Sequence, residues 1–303
     1  LNRFIQHAEK LYPENLFIML YYIMILGTNV TLKRNLTYVK KDLHEIDINN
    51  NLLIDYCFGQ KSEDYLINLI FKNKLNGTFI DVGAHDGVRF SNSFAFSKLG
   101  WKGICVEAHP DYYNICYNNR INDLTKIINV ACSNNNNEKV TFYSNYRGSL
   151  STLNPNLNEF YKKGYEGYYI DKNHNEKVQN FSNGPIEIVS RTIDSLIEEN
   201  KDFLNTTNID LVSIDVDGSE EYVLPGFDIL KYKPRVVIFE VSVVRSVVED
   251  YMKDKNYHKI YDNKLNAIYC RDIEDSKLFT DEFYKIKDSN KIITSYDTGH
   301  PLD

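Results

Sequence analysis

The chain has 303 residues, 43% hydrophobic and 25% charged, which is enough for one large α/β core and an appended segment. Its formal net charge of −7 argues against a protein that mainly neutralises nucleic-acid phosphates, because that task needs a surplus of Lys and Arg. The five cysteines form no Cys-x-x-Cys pair, which argues against a metal-thiolate site and favours a reducing, cytoplasmic compartment.

Residues 1–55 are predicted to be an N-terminal helical cap or linker. Their most apolar stretch, 16–26, is shorter than the roughly 20 residues that a membrane-spanning helix needs, so we predict a buried helix and no membrane span. The chain begins at Leu1, and we interpret it as a segment of a longer polypeptide that can carry other domains.

The central part of the chain alternates short apolar runs with amphipathic segments. A first helix is expected from Ser62, a predicted N-cap, because Tyr65, Leu66, Leu69 and Ile70 follow at helical spacing. The predicted strands are Thr78–Val82, Gly103–Glu107, Ile127–Ala131, Ile209–Ile214, Val236–Val241 and Ala267–Cys270. Helices are predicted near 92–99, 110–120, 192–199, 219–231 and 244–254. Apolar strands separated by helices predict a parallel sheet covered on both faces, a doubly wound α/β fold.

The interval 144–184 interrupts this alternation, since it is rich in Tyr, Asn and Gly. Long excursions of this kind are often functional, and tyrosines suit sugar-like ligands, so we predict a substrate-side insertion; a Tyr-rich surface hairpin is the alternative. The expected domain spans 56–275, and 276–303 is a C-terminal tail.

The strongest local signal is the loop Ile80–Gly87, in which a strand runs into a glycine turn. Such a turn lets backbone N–H groups approach a ligand closely. Its spacing is Gly-x-x-x-Gly, which disfavours a nicotinamide-dependent dehydrogenase. Asp81 within the loop suits the ammonium or sulfonium of S-adenosylmethionine better than a pyrophosphate. Glu107, at the end of the next strand, can accept hydrogen bonds from ribose hydroxyls; a helix N-terminal charge before Pro110 is the alternative.

Several stretches in order resemble the FkbM-type methyltransferases. They are Phe58–Asp64, Ile80–Gly87 with Ser91–Ser93, Gly100–Glu107, Arg191–Leu196, Ile214–Glu220, Ile238–Val241 and Leu265–Tyr269. The resemblance implies a Rossmann-like class I methyltransferase fold with a mostly parallel seven-stranded sheet and an antiparallel last strand. The family usually has Asp-Val-Glu-Gly where this chain has Asp215-Val216-Asp217-Gly218, so the acceptor or the ion geometry can differ from that of relatives.

The resemblance also implies a set of cofactor-binding residues. Those expected along the methionine part of S-adenosylmethionine are Asp81, Gly83, Ala84 and His85. Glu107, with Ala108, is expected at the ribose, and Ala131 and Cys132 are expected near the adenine. Gln60 and Asn92 are weaker candidates for the cofactor's carboxylate or amine, and Asp215 is expected to border the cofactor.

Asp215, Asp217 and Glu240 end two neighbouring strands, so three carboxylates are predicted around one crevice. They can hold Mg²⁺ or a similar divalent cation, or one of them, or His85, can accept a proton directly. Each also has a structural alternative: Asp217 as a helix N-cap, Glu240 in a salt bridge to Arg245 or Lys233, and His85 as a packed side chain.

These residues predict an S-adenosylmethionine-dependent O-methyltransferase that acts on a hydroxyl of a sugar or glycan. A nucleic-acid methyltransferase and a non-catalytic cofactor-binding module of a larger protein remain the alternatives.

Overall fold

The computed structural model describes residues 58–121, 124–144, 150–159 and 184–288. The predicted N-terminal helical extension lies outside the described residues, as do most of the Tyr-rich excursion and residues 289–303. None of the described helices is both long enough and apolar enough to cross a membrane.

Ten strands are present in the described ranges. They are β1 (Thr78–Val82), β2 (Lys102–Val106), β3 (Thr125–Ile128), β4 (Ala131–Cys132), β5 (Lys139–Ser144), β6 (Gly184–Arg191), β7 (Leu211–Ile214), β8 (Val236–Glu240), β9 (His258–Asp262) and β10 (Asn266–Cys270). The helices are α1 (Glu63–Phe71), α2 (Phe94–Lys98), α3 (Pro110–Arg120), α4 (Ile193–Glu199), α5 (Lys201–Leu204), α6 (Glu220–Val223), α7 (Ile229–Tyr232), α8 (Arg245–Met252) and α9 (Ile273–Asp288).

The main sheet has seven strands in the order β3-β2-β1-β7-β8-β10-β9. β10 pairs antiparallel with both β8 and β9, whereas β1, β2, β3, β7 and β8 pair in parallel. This strand order confirms the predicted Rossmann-like class I methyltransferase fold with its antiparallel last strand.

The central strands are buried on both faces. Every residue of β1 and β7 is buried. Because neighbouring residues of a strand point to opposite faces, helices must cover both sides of the sheet, and this burial supplies most of the hydrophobic stabilisation.

The order of the strands in the sheet determines where the candidate site lies. From β1 the chain continues to β2 and β3 on one side, while β7 and β8 lie on the other side of β1. The loops that follow β1 and β7 therefore diverge and leave a crevice at the carboxyl ends of the strands, where ligands bind in such sheets.

A second, three-stranded sheet has the order β4-β6-β5. The prediction of one strand over Ile127–Ala131 is wrong in its last part, because the chain leaves the main sheet after Ile128 and Ala131 pairs with Ser190. Ser144 pairs with Gly184, so the Tyr-rich excursion connects two antiparallel strands.

Two helix predictions also need correction. The predicted helix 219–231 is three short pieces, α6, a 3-10 turn at Leu224–Gly226, and α7. Pro225 has no N–H to donate and interrupts the helix. Ser62 does precede α1, but its backbone is left-handed and its buried hydroxyl makes no hydrogen bond, so its side chain does not cap the helix.

Candidate active site

The glycine loop is held between its two neighbouring strands. The N–H groups of Gly83 and Ala84 both donate to the carbonyl of Val106, at 2.9 and 3.0 Å. Gly83 has φ 83°, and a Cβ there would lie 1.7 Å from the carbonyl oxygen of Asp215. His85 has φ 50°, a left-handed backbone conformation that is unfavourable in free energy for any residue other than glycine. These contacts within the protein hold the loop in this shape.

Glu107 ties the end of β2 to the glycine loop. Its Oε2 accepts from the N–H of His85 and its Oε1 accepts from the N–H of His109, both at 2.7 Å. Burial raises the pKa of Glu107 to about 7, and these two hydrogen bonds oppose the increase. Each carboxylate oxygen can accept a second hydrogen bond, which fits the hydroxyl groups of a ribose. Asn129, which the sequence analysis did not select, donates to the carbonyls of Glu107 and Ala108 at 2.7 and 3.1 Å.

The imidazole of His85 stacks on the ring of Tyr112, with 3.8 Å between centroids. This contact agrees with the packed-residue alternative for His85, and its role as a proton acceptor stays a prediction. Ala84 is buried beside it, and Ala108 is half-buried.

Asp81 lies beneath the loop and is only 4% exposed. Its carboxylate accepts hydrogen bonds from the hydroxyls of Ser91 and Ser93. Burial raises the pKa of Asp81, and the charge of Arg120 opposes this. Its predicted contact with the methionine part of the cofactor stays a prediction.

Asn92 is buried, and its Oδ1 has no hydrogen-bond partner among the described residues, whereas its Nδ2 donates to Ser213 at 3.3 Å. An unsatisfied buried acceptor costs free energy unless a ligand supplies the donor. Oδ1 lies 2.9 Å from the position that a Cβ on Gly59 would take. The turn that contains Gly59 and the half-buried Gln60 therefore lies beside this acceptor.

Three half-buried carboxylates meet at the ends of β7 and β8. One oxygen from each of Asp215, Asp217 and Glu240 lies within 4.8 Å of the other two. Asp215 and Glu240 share a hydrogen bond, and Glu240 also accepts from the hydroxyl of Ser242 at 2.5 Å. The parallel pairing of β7 with β8 brings these strand ends together.

The electrostatics of this carboxylate cluster favour the binding of a proton or of a cation. The pKa of Asp215 is raised by burial and then by the charge of Glu240, and that of Asp217 by burial and then by Asp215. Burial and the charge of Asp217 likewise raise the pKa of Glu240. Charges of one sign at this distance are relieved when a carboxyl is protonated or when a cation binds. Three convergent carboxylate oxygens match the ligands that Mg²⁺ and Ca²⁺ prefer.

The structural alternatives for Asp217 and Glu240 are not observed. The N-cap of α6 is Ser219, and Asp217 has φ 49° and accepts instead from the N–H of Leu150. Arg245 pairs with Asp262, and within the described residues neither Arg245 nor Lys233 forms a salt bridge to Glu240.

The start of the Tyr-rich excursion is attached to this cluster. The Oγ of Ser219 lies 2.8 Å from Thr152 Oγ1 and accepts from the N–H of Leu153, also at 2.8 Å. Leu150 contacts Asp217 through its backbone, as noted above. No sequence motif indicated these contacts, because they join residues 66 or 67 positions apart that only folding brings together.

Ala131 and Cys132 lie in β4 rather than at the end of a main-sheet strand. They are 2% and 5% exposed, and their backbones pair with β6. The residues that directly follow β3 are Asn129 and Val130. A contact between the adenine and Ala131 or Cys132 stays a prediction.

The chain matches a known family of proteins. The methyltransferase FkbM domain matches residues 81–259, which include Asp81–Gly87 of the glycine loop and all three carboxylates. No curated protein gives a significant match. The chain is similar to the precorrin-6y C5,15-methyltransferase from Geobacter metallireducens GS-15, with 10% sequence identity and a TM-score of 0.32. The match covers 68% of this chain and 87% of the methyltransferase. It is also similar to a protein assigned as a caffeoyl-CoA O-methyltransferase from Staphylococcus aureus, at 13% identity, 84% and 99% coverage and a TM-score of 0.36. Since the family match spans more than half of the sequence, the chain belongs to the FkbM methyltransferase family.

Proposed function

We propose that this methyltransferase uses S-adenosylmethionine and transfers the methyl group to a hydroxyl oxygen of a sugar or glycan. The observation that carries the proposal is the cluster of Asp215, Asp217 and Glu240 beside the glycine loop, with one oxygen of each within 4.8 Å of the others. A neutral hydroxyl is a weak nucleophile, so its methylation needs a base or a metal ion close to the reacting oxygen. Carboxylates with raised pKa values suit the first role, and convergent carboxylate oxygens suit the second.

The residues around the loop fit the cofactor. The loop after β1 is preformed, Glu107 has spare lone pairs for ribose hydroxyls, and the buried Oδ1 of Asn92 lacks a donor. An amino group would supply that donor. When bound, S-adenosylmethionine supplies an activated methyl group on a positively charged sulfur.

The cluster has two possible tasks during the reaction. Transfer of the methyl group from the cofactor's sulfur to the acceptor oxygen would release S-adenosylhomocysteine and the hydroxyl proton, and that proton would have to pass to a base. Asp215 and Glu240, which already share a hydrogen bond, can take that proton. Alternatively, the three carboxylates hold a divalent cation that lowers the pKa of the acceptor hydroxyl.

The proposal is tested by measuring S-adenosylhomocysteine release with a panel of sugars and oligosaccharides, with EDTA and with added Mg²⁺. We expect Glu240→Gln to reduce turnover by about 10²- to 10⁴-fold, the range that acid–base catalysis contributes. Its affinity for S-adenosylhomocysteine, measured by calorimetry, should stay within about threefold of wild type, because the glutamine keeps the shape of the side chain. Glu249→Gln, an exposed change on α8, is the matched control and should leave turnover unchanged.

Full turnover by Glu240→Gln would contradict the role of the carboxylate cluster. Loss of activity in EDTA that Mg²⁺ restores would select the metal mechanism, and EDTA-resistant activity would select direct proton transfer. Methylation of RNA rather than sugars, with binding that weakens steeply with salt, would replace the glycan acceptor. Tight cofactor binding without turnover of either acceptor class would instead indicate a binding module.

A further inference from the structure

A buried arginine lies directly behind the glycine loop. Arg120, the last residue of α3, is 1% exposed. Its Nη1 donates to the carbonyl of Gly87 at 2.8 Å and to the hydroxyl of Ser91 at 3.3 Å, and its Nη2 donates to the hydroxyl of Ser93 at 3.1 Å. Burying a guanidinium is costly unless it is hydrogen-bonded and its charge is balanced, so these partners determine what Arg120 does.

The two serines connect Arg120 to Asp81. Ser91 and Ser93 each donate their hydroxyl hydrogen to the carboxylate of Asp81 while accepting from the guanidinium. The charge of Arg120 acts on Asp81 across this bridge and opposes the cost of burying the carboxylate. Other carboxylates face Asp81 from neighbouring strand ends, namely Glu107 after β2 and Asp215 after β7, and both repel it.

Packing restricts Arg120 to one position. A Cβ on Gly87 would lie 2.5 Å from Arg120 Cγ, so the stem of the side chain fills the space that this glycine leaves. The guanidinium lies over the rings of Phe79 and Phe94, 5.2 and 5.3 Å from their centroids. A planar guanidinium can stack on rings and donate in several fixed directions at once, which an ammonium cannot do.

We propose that Arg120 is a positioning residue for the cofactor: it fixes the far end of the glycine loop through Gly87 and, through Ser91 and Ser93, places a positive charge beside the carboxylate of Asp81 under the loop. This inference rests on the proposed use of S-adenosylmethionine, because an ionised Asp81 matters for a ligand that carries positive charge. The sequence around Arg120 does not indicate this role, because Asp81 lies 39 positions earlier in the chain.

The experiment measures the affinity for S-adenosylhomocysteine by calorimetry from pH 6 to pH 9, for wild type, Arg120→Met, Arg120→Lys and the double variant Asp81→Asn/Arg120→Met. At low pH we expect Arg120→Met to bind about tenfold more weakly than wild type and to recover only part of this loss as the pH rises, because Asp81 then ionises only at higher pH while the hydrogen bonds to the loop stay lost. Arg120→Lys keeps the charge but loses the fixed hydrogen bonds, so its affinity should fall without that change in pH dependence.

The double variant separates Asp81 from its neighbours. Burial raises the pKa of Glu107 to about 7, and Glu107 is present in both the single and the double variant, so the difference between these two variants reports chiefly on Asp81. The double variant buries neither charge, so it should fold even where Arg120→Met does not, and melting temperatures establish this. We expect it to bind weakly at every pH, without the recovery at high pH.

If the folded Arg120→Met or the double variant binds S-adenosylhomocysteine within twofold of wild type at every pH, Arg120 has no positioning role. If wild type itself fails to bind S-adenosylhomocysteine, the proposed function fails instead, and the two failures are therefore distinguishable.

Discussion

At the scale of single residues, the glycine loop owes its shape to close contacts inside the protein. Gly83 has a left-handed backbone and touches the carbonyl of Asp215, whereas at Gly184, with φ 99°, no atom of the described residues lies within 4 Å of a Cβ position. A substitution of Gly184 therefore introduces backbone strain alone, whereas a substitution of Gly83 introduces both backbone strain and a steric clash.

We therefore expect Gly83→Ala to destabilise the protein by about 3 kcal/mol, the sum of overpacking and left-handed strain. Gly184→Ala should cost only about 1 kcal/mol, from strain alone. Urea unfolding followed by circular dichroism measures both free energies. Equal losses for the two variants would mean that the contact with Asp215 relaxes at little cost.

Single residues also show which parts of the candidate site a sequence motif can predict and which it cannot. The sequence selected Asp215, Asp217 and Glu240 because each ends a predicted strand, and the structure brings them together. Arg120 and Asn129 were not selected, because their partners are backbone carbonyls and hydroxyls that only folding brings near.

At the scale of elements, the segment 150–159 is attached to the loop after β7 through Ser219. Its hydroxyl is hydrogen-bonded to Thr152 and to the N–H of Leu153, and the carboxylate of Asp217 two residues earlier accepts from Leu150. This arrangement holds the beginning of the Tyr-rich excursion beside the candidate site.

We expect Ser219→Ala to cost about 1–2 kcal/mol of stability, because Thr152 and Leu153 lose a buried partner. Hydrogen exchange at 150–159 should become faster, while affinity for S-adenosylhomocysteine stays unchanged. Ser195→Ala on α4, which removes hydrogen bonds to Asn136 and Thr192, is the control. Unchanged exchange at 150–159 in Ser219→Ala would show that other contacts hold the segment.

Elements that the sequence placed incorrectly share a physical cause. The apolar run 127–131 continues across the point at which the chain passes from β3 to β4, and hydrophobicity does not distinguish one sheet from another. β9 was not predicted, because most of its side chains are only half-buried or exposed and give no apolar run.

At the scale of the whole molecule, the carboxyl edge of the sheet concentrates buried acids. Burial raises the pKa of Glu107 to about 7 and the pKa values of Glu220 and Glu240 to about 8. A carboxyl whose pKa is raised on folding binds more protons in the folded state, so the stability it contributes is lost as the pH rises through the folded value.

We therefore expect the melting temperature of EDTA-treated protein to fall between about pH 5 and about pH 8, the interval between ordinary and raised glutamate pKa values. Glu240→Gln should flatten this decline, because one of the titrating groups is gone. If the cluster holds a metal, added Mg²⁺ should raise the melting temperature most at pH 8, where the carboxylates are ionised. A melting temperature that rises over this interval would contradict the raised pKa values.

The sequence by itself determined the α/β class, the strand pattern of the parallel core and the family motifs, because buried strands are apolar throughout and glycine turns have a distinct spacing. The glycine loop and the three strand-end carboxylates could also be identified, since parallel strands end at one edge. Only the tertiary structure decided that β10 pairs between β8 and β9, that the chain leaves the main sheet at Ile128, and that Arg120 lies behind the glycine loop. These depend on contacts between distant parts of the chain, for which local residue pattern carries no signal.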